Sequence, residues 1–194
     1  MKYKNESIRN EILETKLKAL ESELNPHFLF NALNSISELI YQDKQKAEES
    51  VINVSKFLRN AIYTDSLISY ENELEMVKTY VNIENIRFQD KIKLNIVEKK
   101  EYNDILIPKF SIQLLVENAI KHGYDGSKLN IEIKFENNSI IVSNNGKKSS
   151  NIKFGTGLSN LSKRLQILEI GELEYENYEK MKFIIKVNNE SINS

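Results

Sequence analysis

Asn25-Pro26-His27-Phe28-Leu29-Phe30-Asn31 separates two helical repeats, and its reading decides how the first part of the chain is built. The leucines before it fall at Leu13, Leu17, Leu20 and Leu24, and the apolar residues after it at Leu29, Leu33, Ile36 and Ile40, both with 4-3-4 spacing. That rhythm is a coiled-coil-like seam. The two seams are out of phase, and the break lies at Pro26-His27. A proline inside a helix removes a backbone donor and clashes with the carbonyl one turn back, at about 3 kcal/mol. Residues 5 to about 42 therefore predict one long helix, kinked at Pro26. At roughly 100° per residue, His27, Asn31, Asn34 and Glu38 share the face opposite the downstream seam, so the imidazole should be exposed. Measured from the upstream seam, His27 falls near its edge. Taken alone, these residues also fit an ordinary surface histidine beside a helix kink.

Working outward, Tyr41-Gln42-Asp43-Lys44 is a polar break, and Ala47, Val51, Val54, Leu58 and Ile62 mark a second amphipathic helix. It is connected closely enough to pack antiparallel on the first. Two such helices expose a large apolar stripe, which a homodimeric four-helix bundle would close. The alternative is a monomer that packs the stripe against its own second domain. Thr64 to Asn72 is polar and reads as irregular, which places a boundary there and divides the chain into 1–68 and 69–194. A third helix follows, with Leu74, Val77, Val81 and Phe88 on one stripe. Glu84 joins that stripe one turn from Arg87, read here as a helix ion pair.

The period then changes. Ile92 to Val97 alternates as a strand. Ile105-Leu106-Ile107-Pro108 leads into a helix over about 109–122. Asn130 to Val142 reads as a hairpin turning at Asn137-Asn138. Asn144 to Phe154 is a polar loop, long enough to suggest function. Gly157 to Leu168 is a helix, Leu173/Tyr175 and Met181 to Val187 form a second hairpin, and Asn188 to Ser194 look frayed. Helices and hairpins segregated in this way predict an α+β fold: an antiparallel helical hairpin followed by a two-layer sandwich.

Composition narrows the classes. The chain has 194 residues, no cysteine, 40% hydrophobic residues and a net charge of 27 − 28 = −1. Disulfides and thiolate chemistry are excluded, and no general affinity for nucleic acid or anionic membrane is implied. No apolar run approaches the roughly 20 residues of a transmembrane helix.

The opening box resembles the phosphoacceptor box of LytS-like sensor histidine kinases. The resemblance continues through Leu58-Arg59, Tyr80-x3-Glu84-x2-Arg87-Phe88, Glu117-Asn118-Ala119-Ile120-Lys121-His122-Gly123 and Gly155-Thr156-Gly157-Leu158-x-Asn160. It implies that His27 accepts phosphate and that the second half is a Bergerat (GHKL) ATP-binding domain. By resemblance, Asn118 would hold Mg²⁺, with Lys121 and His122 near the ATP phosphates. Asn144 and Gly146 stand where the family has its Asp-x-Gly base-reading box, and Gly155, Thr156, Gly157 and Leu158 where the loop over ATP ends. The chemistry suits the residues: an amide oxygen is a hard ligand for Mg²⁺, lysine is a point charge for phosphate, and glycines before a helix allow close phosphate approach. Without the resemblance, the Asn118 stretch would read as a capped helix end, and Ser143-Asn144-Asn145-Gly146 as a turn.

The family pattern is not kept throughout. The glutamate that activates water in gyrase-type relatives is Leu114 here, which cannot act as a base and favours transfer over hydrolysis. Phe28 replaces the acid that often follows the phosphoacceptor, so the base for His27 is unassigned. Asn144 replaces the base-reading aspartate, and Lys148 the box's second glycine. The resemblance implies a homodimer that passes phosphate to a response regulator, at the cytoplasmic side of a membrane sensor whose sensory part lies before Met1. Two other readings stay open: a degenerate dimeric scaffold, and a GHKL-type ATPase.

Overall fold

The computed structural model describes residues 26–63, 65–97, 100–147, 154–177 and 180–188. The upstream seam of Leu13, Leu17, Leu20 and Leu24 lies outside the described residues, as do Lys148 and residues 189–194. The kink expected at Pro26 falls at their edge. The chain separates into two compact units, meeting between Tyr63 and Thr64.

The first unit contains α1 (Pro26–Gln42) and α2 (Lys44–Tyr63). They are joined at Asp43, whose Oδ1 accepts the Lys46 N–H at 3.0 Å and so caps the start of α2. The helices bury Phe28, Ala32 and Ile36 on α1, and Ala47, Val54, Phe57 and Ala61 on α2. Phe28 and Phe57 meet edge to face at 5.2 Å. Of the expected stripes, Ile36, Ala47 and Val54 are buried between the helices, whereas Leu33, Ile40, Val51 and Ile62 are 50–56% exposed; Phe28 and Phe57, which the stripes did not include, fill the interior. Phenylalanine buries the larger area, so the ring pair wins the inside of the hairpin.

In the second unit, β1 (Leu67–Ser69) pairs antiparallel with β3 (Leu106–Pro108), and α3 (Tyr70–Phe88) starts directly after β1. The stretch expected to be irregular is therefore a strand and a helix start, capped by Ser69, whose hydroxyl accepts the Asn72 N–H at 3.2 Å. α3 ends at Gln89, in the left-handed region at φ 52°. The Asn85 side chain then pairs with both backbone groups of Ile92, at 2.9 and 3.0 Å, tying α3 to β2 (Ile92–Val97).

Next come α4 (Ser111–Gly123), β4 (Leu129–Glu136), β5 (Ser139–Asn144), α5 (Thr156–Ile167), β6 (Gly171–Asn177) and β7 (Met181–Val187). The main sheet has the order β2-β4-β5-β7-β6; β2 runs parallel to β4 and the other pairs are antiparallel. Asn137 and Asn138 turn the β4–β5 hairpin with φ 51° and 56°, the pair of positive angles a type I′ turn needs. Ile131, Ile133, Phe135, Ile140, Val142, Phe183 and Ile185 are buried on the face that α3, α4 and α5 cover. The intervening residues on the opposite face carry cross-strand pairs such as Lys186–Glu174 at 2.6 Å.

Candidate functional site

α4 is the axis of the site. Ile112, Leu115, Val116, Ala119 and Ile120 are buried, whereas Leu114, Asn118, Lys121 and His122 lie on its more open side. Leu114 and Asn118 are one turn apart, and Asn118 Nδ2 donates to the Leu114 carbonyl at 2.7 Å. That bond engages Nδ2, and the amide oxygen is of the kind that serves as a hard ligand. Among the described residues no cluster of His, Asp or Glu makes a self-standing metal cage. An ion held by Asn118 would therefore share its coordination with phosphate oxygens and water, as Mg²⁺ commonly does.

The end of α4 meets the end of β5. A Cβ on Gly123 would lie 2.3 Å from Asn144 Nδ2, and one on Gly146 would lie 2.1 Å from the Gly123 carbonyl oxygen. Gly146 is required by this backbone approach, and Gly123 leaves room for the Asn144 side chain. The Gly123 carbonyl accepts the Lys147 N–H at 2.9 Å, fixing the turn after β5. Asn144 is buried at 2% exposure, and neither its Nδ2 nor its Oδ1 has a hydrogen-bond partner. An unpaired buried amide is costly, so this pair of atoms fits a polar ligand. Its neighbour Asn145 is already engaged, its Oδ1 accepting the Asn130 N–H at 2.7 Å.

α5 closes the third side. A Cβ on Gly157 would sit 3.1 Å from Leu114 Cδ1, one turn before Asn118. Gly155 is the N-cap residue, with extended backbone and no side-chain cap, and Leu158 is buried. The first turn of α5 thus offers free N–H groups beside α4. The three stretches picked from the sequence, around Asn118, Asn144 and Gly157, converge on one helix.

His27 lies in the other unit and is exposed, as its helical angle predicts. The Asn31 amide nitrogen stands 3.1 Å from Nδ1 and 3.4 Å from Nε2. Glu84 and Arg87 form the expected ion pair at 2.6 Å, with Glu84 buried beside Tyr80. Burial, then the Glu84 and Glu117 charges, hold the Tyr80 hydroxyl well above its ordinary pKa.

One residue escaped sequence reading. Glu73 is fully buried and accepts N–H bonds from Phe110, Ile112 and Gln113 at 2.9, 2.9 and 3.1 Å. Burial pushes its carboxyl up to about 7, against the pull of those N–H groups and of Arg164. It had one available signal: Glu73, Val77, Tyr80 and Glu84 share a stripe at i, i+4, i+7 and i+11.

These contacts describe an α+β unit gathered round one helix and, apart from it, a helical hairpin with an exposed histidine. The histidine kinase family model matches residues 15–92. The chain is 37% identical over 176 residues to the sensor protein LytS of Staphylococcus saprophyticus, and 32% identical to the sensor histidine kinase/phosphatase LytS of Staphylococcus aureus. Each match covers 79% of this chain and 30% of the relative, so the chain spans under a third of those proteins. Solved structures give looser likenesses. The catalytic domain of histidine kinase ThkA is 17% identical with a TM-score of 0.44, over 62% of this chain and 94% of that one. Acinetobacter baumannii histidine kinase AdeS is 18% identical with a TM-score of 0.42, over 91% and 98%. The sequence relatives carry the likeness: the chain is a homologue of the LytS-like sensor histidine kinases over 79% of its length, and residues 15–92 match the histidine kinase family model.

Proposed function

We propose that this chain is the dimerisation, phosphotransfer and ATP-binding region of a two-component sensor kinase. The observation that carries the reading is the buried, unpartnered Asn144 amide, set against Gly123 at the end of the helix that presents Asn118. A base seated there would satisfy the amide, and its phosphates would run toward Asn118, Lys121, His122 and the start of α5. Magnesium, bound with the nucleotide, would supply charge neutralisation at the phosphates. Asn118 would hold it through Oδ1, and Lys121 would add a point charge.

The step assigned to His27 is attack by a ring nitrogen on the γ-phosphorus of ATP. An N–P bond forms, the bond to the bridging oxygen breaks, and ADP leaves. Asn31, nearer Nδ1 than Nε2, can hold Nδ1 and leave Nε2 to attack once its amide oxygen faces an Nδ1–H. The phosphoryl group then passes to an aspartate of a response regulator. The unit up to Tyr63 would supply the acceptor and dimer contacts and the unit from Thr64 the nucleotide site, on the cytoplasmic side of a membrane sensor.

Incubation with γ-labelled ATP, followed by acid and by base, tests the reading. Label lost in acid and kept in base is expected. Hydrolysis without labelled protein would indicate an ATPase, and neither label nor hydrolysis a scaffold, the alternative that the departures from the family pattern at Asn144 and Lys148 motivate.

A further inference from the structure

α3 delivers Glu73 to the start of α4. One carboxylate oxygen accepts the Phe110 N–H at 2.9 Å, and the other accepts those of Ile112 and Gln113 at 2.9 and 3.1 Å. These are donors that a helix start leaves free. The N-cap residue, Phe110, has no side-chain cap and sits at φ 65°, a region that phenylalanine seldom occupies. The charged groups facing the carboxylate are few. Arg164 of α5 acts on it and donates through Nη2 to the Lys109 carbonyl at 3.3 Å, and Lys109 Nζ lies 5.3 Å over the Phe110 ring.

The far end of the same helix carries Asn118 and packs Gly123 on Asn144. α4 has 13 residues. At 1.5 Å per residue such a rod is about 20 Å long, and a helix slides or tilts as one piece. We propose that Glu73 is a positioning residue of the nucleotide site: by holding the N–H groups of Phe110, Ile112 and Gln113 it fixes the register of α4, and so the placement of Asn118 and Gly123 against Asn144. The proposal rests on the nucleotide reading above.

A glutamine has the same shape but one acceptor oxygen, and its NH₂ would face one of the N–H groups. Protonation of Glu73 has the same effect, and burial brings that event to about pH 7. The test is ATP titration and amide hydrogen exchange of the wild-type chain and Glu73→Gln, from about pH 6 to about pH 8. At the upper pH the variant should bind ATP on the order of tenfold more weakly, the factor one charge-assisted hydrogen bond carries. Wild-type affinity should approach the variant's as pH falls through about 7. The His122 imidazole is present in both proteins and cancels from the difference. Exchange should quicken along α4 as far as the Lys147 amide, which the Gly123 carbonyl holds at 2.9 Å.

Equal ATP affinity at the upper pH, in a variant that melts as a folded protein, overturns the proposal. If the variant does not fold, the wild-type exchange series decides. Joint loosening of the Phe110 and Lys147 amides as pH falls supports it, and loosening of Phe110 alone overturns it. A wild-type chain that binds no ATP at any pH defeats the nucleotide reading, and the same exchange comparison then decides the role of Glu73 by itself.

Discussion

The helical hairpin and the α+β unit are incomplete in opposite ways. Each hairpin helix carries an apolar arc wider than the hairpin covers, leaving Leu33 and Ile40 on α1 and Val51 and Ile62 on α2 exposed. Its one chemically distinctive group, His27, stands in solvent. In the α+β unit the apolar face of the sheet is closed, and the incomplete groups are polar and inside. Glu73 and Asn144 are both buried at opposite ends of α4, yet Glu73 accepts from three N–H groups while the Asn144 amide has no partner. An uncovered apolar arc asks for protein. An unpaired buried amide asks for a small polar ligand. The proposed division of labour between dimer contacts and nucleotide binding rests on that difference.

The sharpest break between the two units is expected at His27. Replacing it with glutamine should remove all acid-labile label while leaving ATP affinity, a property of the other unit, unchanged by calorimetry. Label that survives His27→Gln would place the acceptor elsewhere.

The uncovered arc gives the next largest effect. Burying it across a two-fold axis, at about 25 cal/mol per Å², should contribute several kcal/mol. Leu33→Lys with Ile40→Lys should give a monomer by sedimentation that still melts as a folded protein. Ile36→Lys should instead disrupt the hairpin itself, because Ile36 is buried within it. A wild-type chain that is monomeric at tens of micromolar would remove the dimer from the proposal.

The buried carboxylate predicts a dependence of stability on pH. Its folded pKa is about 7, above the ordinary 4.5. A raised value means that burial outweighs the N–H bonds, so the protonated group favours the folded chain as a whole although only the ionised group accepts all three N–H bonds at the start of α4. This contribution is fully present below about pH 4.5 and is lost as pH rises through about 7, by at most about 3 kcal/mol. Denaturant melts of wild type and Glu73→Gln should therefore diverge across that window and run parallel above it. Parallel curves throughout would mean that the carboxyl keeps its ordinary pKa.

These outcomes also mark what the sequence could reveal. The β4–β5 hairpin was legible because Asn137-Asn138 is a local signal for two positive φ angles. The Asn118, Asn144 and Gly157 stretches were legible as motifs. The hairpin interior was legible only in part: Ile36, Ala47 and Val54 of the expected stripes are buried, but leucine and isoleucine spacing gave no sign of Phe28, Ala32 and Phe57. Glu73 was hidden for a different reason. Its partners lie 37 to 40 residues away, and beside Glu71 and Glu75 it looks like one more solvated acid.

The smallest effect is expected at Asn144, and it tests which kind of incompleteness the α+β unit has. With Asn145 Oδ1 committed to the Asn130 N–H at 2.7 Å, the proposed base-reading role is given to Asn144. Its oxygen can accept from the adenine amino group, a neutral bond contributing about 0.5–1.5 kcal/mol, against about 1.5–3 for a carboxylate. Flipped, its NH₂ can donate to a guanine carbonyl, which a carboxylate would repel. Wild type should therefore bind ATP modestly and discriminate poorly against GTP. Asn144→Asp should tighten ATP by roughly 1 kcal/mol, about fivefold, and weaken GTP. The same change places an unpaired carboxylate where exposure is 2%. The free variant should then melt lower than wild type, and ATP should raise its melting point by more. Calorimetric titration of both nucleotides, with melts of the free and bound proteins, reads all of these quantities. An unchanged ATP-to-GTP ratio would mean that the Asn144 amide faces some other polar partner and does not read the base.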